Sequence, residues 1–415
     1  MDLLENPVRD YPWGSAGDIP EFLGVPAGGG PVAELWMGAH PDSPSRVLRR
    51  GQPRSLAEVI AADPEAELGS RVRDAFGPRL PFLLKLISAA RPLSLQVHPD
   101  RQHARRAYAA QQAAPGADRD YTDDNHKPEL VCALRDGFAG LCGFRPLAGT
   151  ADLLAALAVP GLTGFASRLD PADPAGSLRA LVTDTLTGPA DPALIDAVRA
   201  ACERAAGVPG RWAAACAAYA VVAAAYPADP GVLVALLLNY VELRAGEAVF
   251  VGAGVPHCYL TGFAAELMAS SDNVLRAGLT SKRVNVPELL RVLDFRPSEP
   301  ARLRPVPGGA AAPGGQSDDT SGANGTGRGP LAALAVYPAP VEDFQLSRLE
   351  VSDDAADLPG GRPQILLCTA GRARLTDAGG RVLELRRGQS AYLPAADQRT
   401  LVTGAGTILR ATVGC

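Results

Sequence analysis

Residues 243–253 read LRAGEAVFVGA and residues 385–395 read LRRGQSAYLPA. Set position against position, each opens on Leu-Arg, places glycine fourth, and runs through apolar residues to a corner of small ones. Glycine tolerates the positive φ that a tight strand-to-strand turn demands. Each stretch therefore predicts strand, turn, strand and corner, which is how a jelly-roll barrel folds its sheets over. At the position of His257, just past the first corner, the second copy has Arg399. The repeat predicts two related β-barrels, of which only the first carries a histidine there.

Outward from the repeat, the composition agrees. The chain has 415 residues, too many for one ordinary core, with 44 glycines, 37 prolines, 47% hydrophobic residues and a net charge of −5. Residues 1–53 have the Gly, Pro and Ser punctuation of a meander or loops, and 55–76 read as helix, with Ser55 and Glu58 as a capping box. Residues 81–99 and 128–144 read as strands and 103–113 as a short helix. Residues 148–238 turn Ala- and Leu-rich with helical spacing, which predicts a helical insertion. Residues 305–330, PVPGGAAAPGGQSDDTSGANGTGRGP, have almost nothing to bury and read as a linker. The fold expected is mainly β with an α insertion: two cupin-like jelly-roll barrels plus an Ala-rich helical domain. The first barrel takes residues 1–147 and 239–304; the second takes 331–415 and lacks metal ligands.

Composition also excludes classes of function. A mildly acidic chain with no basic face is not a nucleic-acid protein. The longest uncharged apolar stretch, Trp212 to Pro227, is shorter than the ~20 residues of a bilayer span and reads as a buried helix, so no membrane partner is expected. The opening MDLLENPVRDYPWGS has no apolar core of a secretory signal, and seven irregularly spaced cysteines fit reduced thiols. A cytoplasmic protein, monomeric or weakly oligomeric, is expected.

The chemistry concentrates in PLSLQVHPD (92–100), NHKPE (125–129) and VGAGVPHCY (251–259). Gln96 and His98 sit two apart in strand-like text and so share a face. With Glu129 and His257 they form a possible mononuclear metal site. Nitrogen and oxygen ligands of this kind suit Zn²⁺, while Fe²⁺, Mn²⁺ and Co²⁺ also fit, and two histidines with one carboxylate is equally an iron oxygenase pattern. His126 and Lys127 beside Glu129 are placed to handle protons or ring opening. Of the remaining histidines, His40 and His103 read as structural or surface residues. A second cluster, ELMASSDNVLRAGLTSKRVN (266–285), sets Glu266, Asp272, Asn273, Arg276, Lys282 and Arg283 among small residues, as a tightly packed anion site would.

These residues carry a family resemblance. YPWGS (11–15), ELWMGAHP (34–41), QVHPD, NHKPE, GFAGLCGFRP (137–146) and SDNVLRAGLTSK (271–282) together resemble the type I mannose-6-phosphate isomerases, or phosphomannose isomerases, zinc enzymes of the cupin class. The likeness covers residues 1–300 apart from parts of the helical insertion, and the tail more loosely. It implies one Zn²⁺ per chain on Gln96, His98, Glu129 and His257. It places catalytic roles on Arg276, Lys127, Asp272 and Glu266, and substrate contacts on Trp13, Lys85, Ser94, His126 and Lys282. One departure is Ser281, where the family usually has proline before the lysine. The activity implied is reversible interconversion of mannose 6-phosphate and fructose 6-phosphate through a cis-enediol, on a pathway such as GDP-mannose supply. Its rivals are an isomerase of another sugar, a non-catalytic bicupin that binds metal or sugar, and an iron oxygenase.

Overall fold

The two copies of the repeat fold alike. In the computed structural model, which describes residues 1–49, 51–114, 119–307 and 334–414, Leu238–Leu243 turns into Ala248–Val251 through Gly246 at φ 81°. Val382–Arg386 turns into Ser390–Leu393 through Gly388 at φ 88°. Each corner then releases a long strand, His257–Ala269 in the first barrel and Arg399–Thr412 in the second, so His257 and Arg399 are matching first residues.

Both long strands bend at a glycine not marked by the repeat: Gly262 at φ 112° and Gly404 at φ 130°. A Cβ at Gly262 would lie 2.6 Å from the Phe138 Cα, and one at Gly404 2.7 Å from the Arg372 carbonyl oxygen. Only glycine fits either place. The bend lets one strand serve two sheets. Before it, His257–Ala269 pairs with Leu95–Val97 and Phe138–Phe144; beyond it, the partners are Phe82–Ala89 and Glu129–Ala133. In the second barrel the long strand passes likewise from Ala356–Pro359 to Gln345–Val351, with Gln364–Asp377 along its other edge.

The Ala-rich span forms the helices Leu147–Leu157, Pro174–Thr187, Pro192–Ala206 and Ala213–Ala225. They share a core with Leu95, Val97, Leu275 and Ala277. Those four residues are the outward-facing alternates of Leu95–Val97 and Leu275–Gly278, strands that pair with each other. Because side chains alternate across a strand, Gln96 and Arg276 are left on the other face, toward the barrel interior. The helices thus back the part of the barrel that holds the site. Truncating one of these buried leucines to alanine costs about 2–5 kcal/mol.

Several expectations need correction. Ala213–Ala225 is not buried all round: Cys216, Tyr219 and Val222 face the core, while Val221 is exposed. Residues 55–76 are three short helices, Leu56–Ala62, Pro64–Leu68 and Ser70–Phe76, broken by Pro64 and by Gly69 at φ 80°. The Ser55–Glu58 capping box is present as expected. Residues 1–53 also contain a helix, Asp18–Leu23. The first strand, Asp2–Leu3, pairs with Ser390–Leu393 of the second sheet. Of the expected linker, Val306–Pro307 pairs with Leu334–Val336, and residues 308–330 lie outside the described residues. One buried apolar cluster joins the barrels, running from Leu35, Leu84 and Leu267 to Tyr337, Phe344 and Ile365.

Candidate active site

Strand register brings the distant motifs together. His257 pairs with Gln96, and Gln96 on its other side with Arg276, so the three side chains form one row on one sheet face. Glu129 opens Glu129–Ala133 and pairs with Met268 and Val251. On the facing sheet Glu266 pairs with Lys85, and Lys85 with Trp36.

At the centre, His98 Nε2 lies 3.2 Å from Glu129 Oε1 and His257 Nε2 lies 3.5 Å from Glu129 Oε2. One donor atom from each of the three lies within 4.8 Å of the others, and all three residues are buried. The imidazoles are set for metal binding by their other nitrogens. His98 Nδ1 is 2.7 Å from the Asn273 carbonyl and His257 Nδ1 is 3.0 Å from that of Val255. Each Nδ1–H donates to its carbonyl, which leaves Nε2 a bare lone pair. His98 Nε2, fully buried, has no hydrogen-bond partner. An orphaned buried nitrogen is costly unless something coordinates it. Gln96 donates its amide to Ser94 Oγ at 3.0 Å, so its Oε1 is available as a fourth donor. The donor set fits a divalent ion.

The tie at Asn273 is itself held: its amide donates to the Asp123 and Asn125 carbonyls, and Asp123 accepts from the Ser271 hydroxyl and the Asp272 backbone. This is the packed loop expected over 266–285. Its organiser, Asp123, was not singled out in the sequence.

The cavity beside the cluster is lined by Glu34, Lys85, Ser94, Gln96, Lys127, Glu129, His257, Tyr259 and Glu266, among others. Its three carboxylates and two ammonium groups leave a formal charge of −1, which a divalent cation would reverse. Lys127 Nζ is 2.9 Å from Glu129 Oε1, and the Tyr259 hydroxyl donates to Glu129 Oε2 at 3.2 Å. Burial opposes charge on Glu129, but the Lys127 ammonium outweighs it and holds its pKa well below the usual range. Burial, aided by the charge of Lys127, depresses His98 to about 4. Burial and nearby Glu129 push Glu266 above its ordinary value, against Lys85 and Lys127. Burial also disfavours charge on Lys85, yet Glu34 at 3.8 Å and Glu266 at 3.5 Å raise its pKa, and its ammonium sits over the Trp36 ring at 4.8 Å. Lys85 is therefore ionised and already countered twice.

Arg276 differs. Half-buried in the row with Gln96, its guanidinium has no hydrogen bond or ion pair among the described residues, and desolvation alone lowers its pKa.

The remaining expected residues fall at different distances from this centre. Ser94 lines the cavity; Trp13 stacks on Tyr11 at 5.7 Å and packs against the buried cluster that includes Val249 and Tyr259. Asp272 is partly exposed, with Oδ2 at 3.3 Å from His40 Nε2; burial raises its pKa, but His40 holds it below the usual value. Lys282 is exposed and outside the cavity lining. His126 is turned away from the cavity, toward Arg101 and Asp343. His40 is not a surface residue: it is buried and packs edge-on against Trp36. Glu34 was also missed, although the spacing of Glu34 and Trp36 puts both on one strand face, where the indole donates to the carboxylate at 2.8 Å.

A jelly-roll barrel with two histidines, a carboxylate and a glutamine gathered at its mouth is a cupin with a metal-binding group. Comparison with known proteins narrows the class. Residues 1–147 match phosphomannose isomerase type I, catalytic domain, and residues 334–413 match mannose-6-phosphate isomerase, cupin domain. Mannose-6-phosphate isomerase of Escherichia coli (strain K12) is 36% identical over 420 residues, 99% of each chain, and that of Homo sapiens is 32% identical over 83% of this chain and 80% of its own. A mutant phosphomannose isomerase from Salmonella typhimurium superposes over 100% of both chains with a TM-score of 0.85 at 34% identity. The chain belongs to the type I phosphomannose isomerase family.

Proposed function

We propose that the chain interconverts mannose 6-phosphate and fructose 6-phosphate, with one Zn²⁺ held by Gln96, His98, Glu129 and His257. The observation that carries this reading is the pair of buried imidazoles, each with Nδ1 committed to a backbone carbonyl and Nε2 aimed at one carboxylate. Neutral nitrogen and oxygen donors with one carboxylate suit Zn²⁺. When bound, the ion supplies Lewis acidity to the sugar oxygens and offsets developing negative charge.

The chain's own groups do the rest. Arg276, unpaired and half-buried, binds the substrate's anionic part and steadies negative charge at the reacting carbons. Lys127 and Asp272 assist ring opening: the carboxylate, kept ionised by His40, takes the anomeric hydroxyl proton while the ammonium protonates the ring oxygen. Glu266, its pKa raised by burial, is suited to carry a proton between C1 and C2 along one face, through a cis-enediol. Lys85, countered by two carboxylates, has little charge left for a phosphate and instead donates to sugar hydroxyls. Ser94 and Trp13 bound the sugar pocket, and Lys282 meets the phosphate from outside. The setting is cytoplasmic, a reading supported by the six free, buried thiols among the described residues.

The test is isomerase activity measured with metal content on one preparation. Activity should track Zn²⁺ near one per chain, fall on chelation and return on re-addition. Full turnover after complete metal removal would refute the reading.

A further inference from the structure

Among its described residues the second barrel has no ligand cluster, yet one of its side chains reaches the ligand-bearing segments of the first. Asp343 immediately precedes Gln345–Val351 by way of Phe344, which is buried in the core joining the barrels. Its carboxylate is almost fully buried and divides its oxygens between two partners. Oδ1 accepts from Arg101 Nη2 at 2.6 Å, and Oδ2 lies 2.9 Å from His126 Nε2. Arg101 Nη2 also lies 2.6 Å from that ring nitrogen, closing a three-membered cluster. Arg101 stands three residues after His98, and His126 three before Glu129.

One carboxylate thus ties together the two chain segments that deliver a histidine and the carboxylate to the metal-binding group. The Asp123 and Asn273 bonds fix residues 123–125 of the same loop; Asp343 grips the next residue, and Lys127 follows. We infer that Asp343 is a positioning residue of the active site: acting through His126 and Arg101, it sets the spacing of His98, Lys127 and Glu129, and the second barrel contributes to catalysis through it. Groups that orient metal ligands typically change metal affinity or activity 10–100-fold when removed. A bond from another barrel does this only if that barrel is rigidly docked, which the shared core provides.

The inference rests on the metal-dependent reading above, and the test separates the two. Asp343→Asn keeps the shape and removes the charge; His126→Ala probes the same contact from its more exposed side. Zn²⁺ affinity is measured by competition with a chromogenic chelator, loop order by hydrogen exchange of amides 125–129, and turnover by kcat and KM separately. Tyr337→Phe is the control, because Tyr337 also bridges the barrels, donating to the Gly246 carbonyl at 2.9 Å, without touching the loop. Asp343→Asn should weaken Zn²⁺ binding 10–100-fold, speed exchange of the loop amides, and lower kcat more than it raises KM. The double variant with His126→Ala should be little worse than either single one, since both remove one contact. Tyr337→Phe should lower the melting temperature and leave affinity and loop exchange unchanged. Wild-type affinity and exchange in Asp343→Asn, or the same losses in Tyr337→Phe, would overturn the inference. A wild-type protein that binds no divalent metal would instead end the isomerase reading.

Discussion

The two barrels share a turn, a corner, a long strand and a glycine bend, yet among the described residues only the first gathers histidines and a carboxylate within reach of one ion. His257 pairs in register with Gln96 and Cys142; Arg399, at the matching place, pairs with Pro359 and extends outward to Asp357 at 2.7 Å. The second interior holds Leu349, Leu366, Leu375, Val402 and Ile408, with one buried polar pair in which Arg410 donates to Gln364 at 2.6 Å. The scaffold therefore does not require the site. A buried ligand survives only where the adjoining strands bring partners for it, since a polar group buried alone is costly.

The sharpest way to break this comparison is to alter the matching residues. His257→Ala should abolish retention of stoichiometric metal and lower turnover by more than about 100-fold, beyond the loss typical of an outer partner. Arg399→Ala, losing only an exposed ion pair worth about 0–1 kcal/mol, should leave metal content and activity near wild type. Metal analysis and a coupled assay on both proteins decide it: full zinc occupancy in the first, or a dead enzyme in the second, breaks the contrast.

Arg276→Ala tests the row beside His257. Removing a charge-stabilising donor from a preorganised site costs about 10²–10³-fold in rate. Since Arg276 has no hydrogen bond or ion pair among the described residues, its loss should shift the melting temperature by only a few degrees. A steep fall in melting temperature with normal residual activity would make it a structural residue.

All five histidines lie at or before residue 257, so imidazole protonation on acidification falls in the first barrel. The buried His98 titrates near 4 in the fold and near its ordinary 6.5 when unfolded. Between these values the unfolded chain binds more protons, so the native state is fully favoured above pH 6.5 and loses stability as pH falls toward 4. Metal-free protein should be about 2 kcal/mol less stable at pH 5 than at pH 7.5 from this group alone. Urea unfolding of wild type and His98→Gln measures it; an equal loss in both would remove His98 as the source.

What could be read in the sequence divides along physical lines. The turns were legible at Gly246 and Gly388 because positive φ nearly dictates the residue, and Gln96 with His98 because period-two alternation dictates a shared face. The bends at Gly262 and Gly404 were not, because they answer to a backbone arriving from Phe138 or Arg372, far away in the chain. His126 and Lys127 look equivalent as neighbours, yet they point to opposite sides, one to Asp343 and one to Glu129. Which distant residue stands opposite is a tertiary fact, so the inward role of His40 and the reach of Asp343 stayed hidden.

The smallest effect separates the two turns themselves. Alanine at either glycine must take up a left-handed conformation, at about 1–2 kcal/mol. At Gly246 the new Cβ would meet only Arg348 Nη1 at 3.2 Å, the movable tip of a long side chain. At Gly388 it would meet the Leu23 Cα at 3.0 Å and the Phe22 carbonyl at 3.2 Å, backbone of the Asp18–Leu23 helix that cannot step aside. Gly246→Ala should therefore cost about 1 kcal/mol, and Gly388→Ala about 1–3 kcal/mol more from overpacking. Urea midpoints of the two variants give the difference directly. Equal costs would mean that the turns are held by their own conformation alone, and that the helix against the second barrel yields more readily than its packing implies.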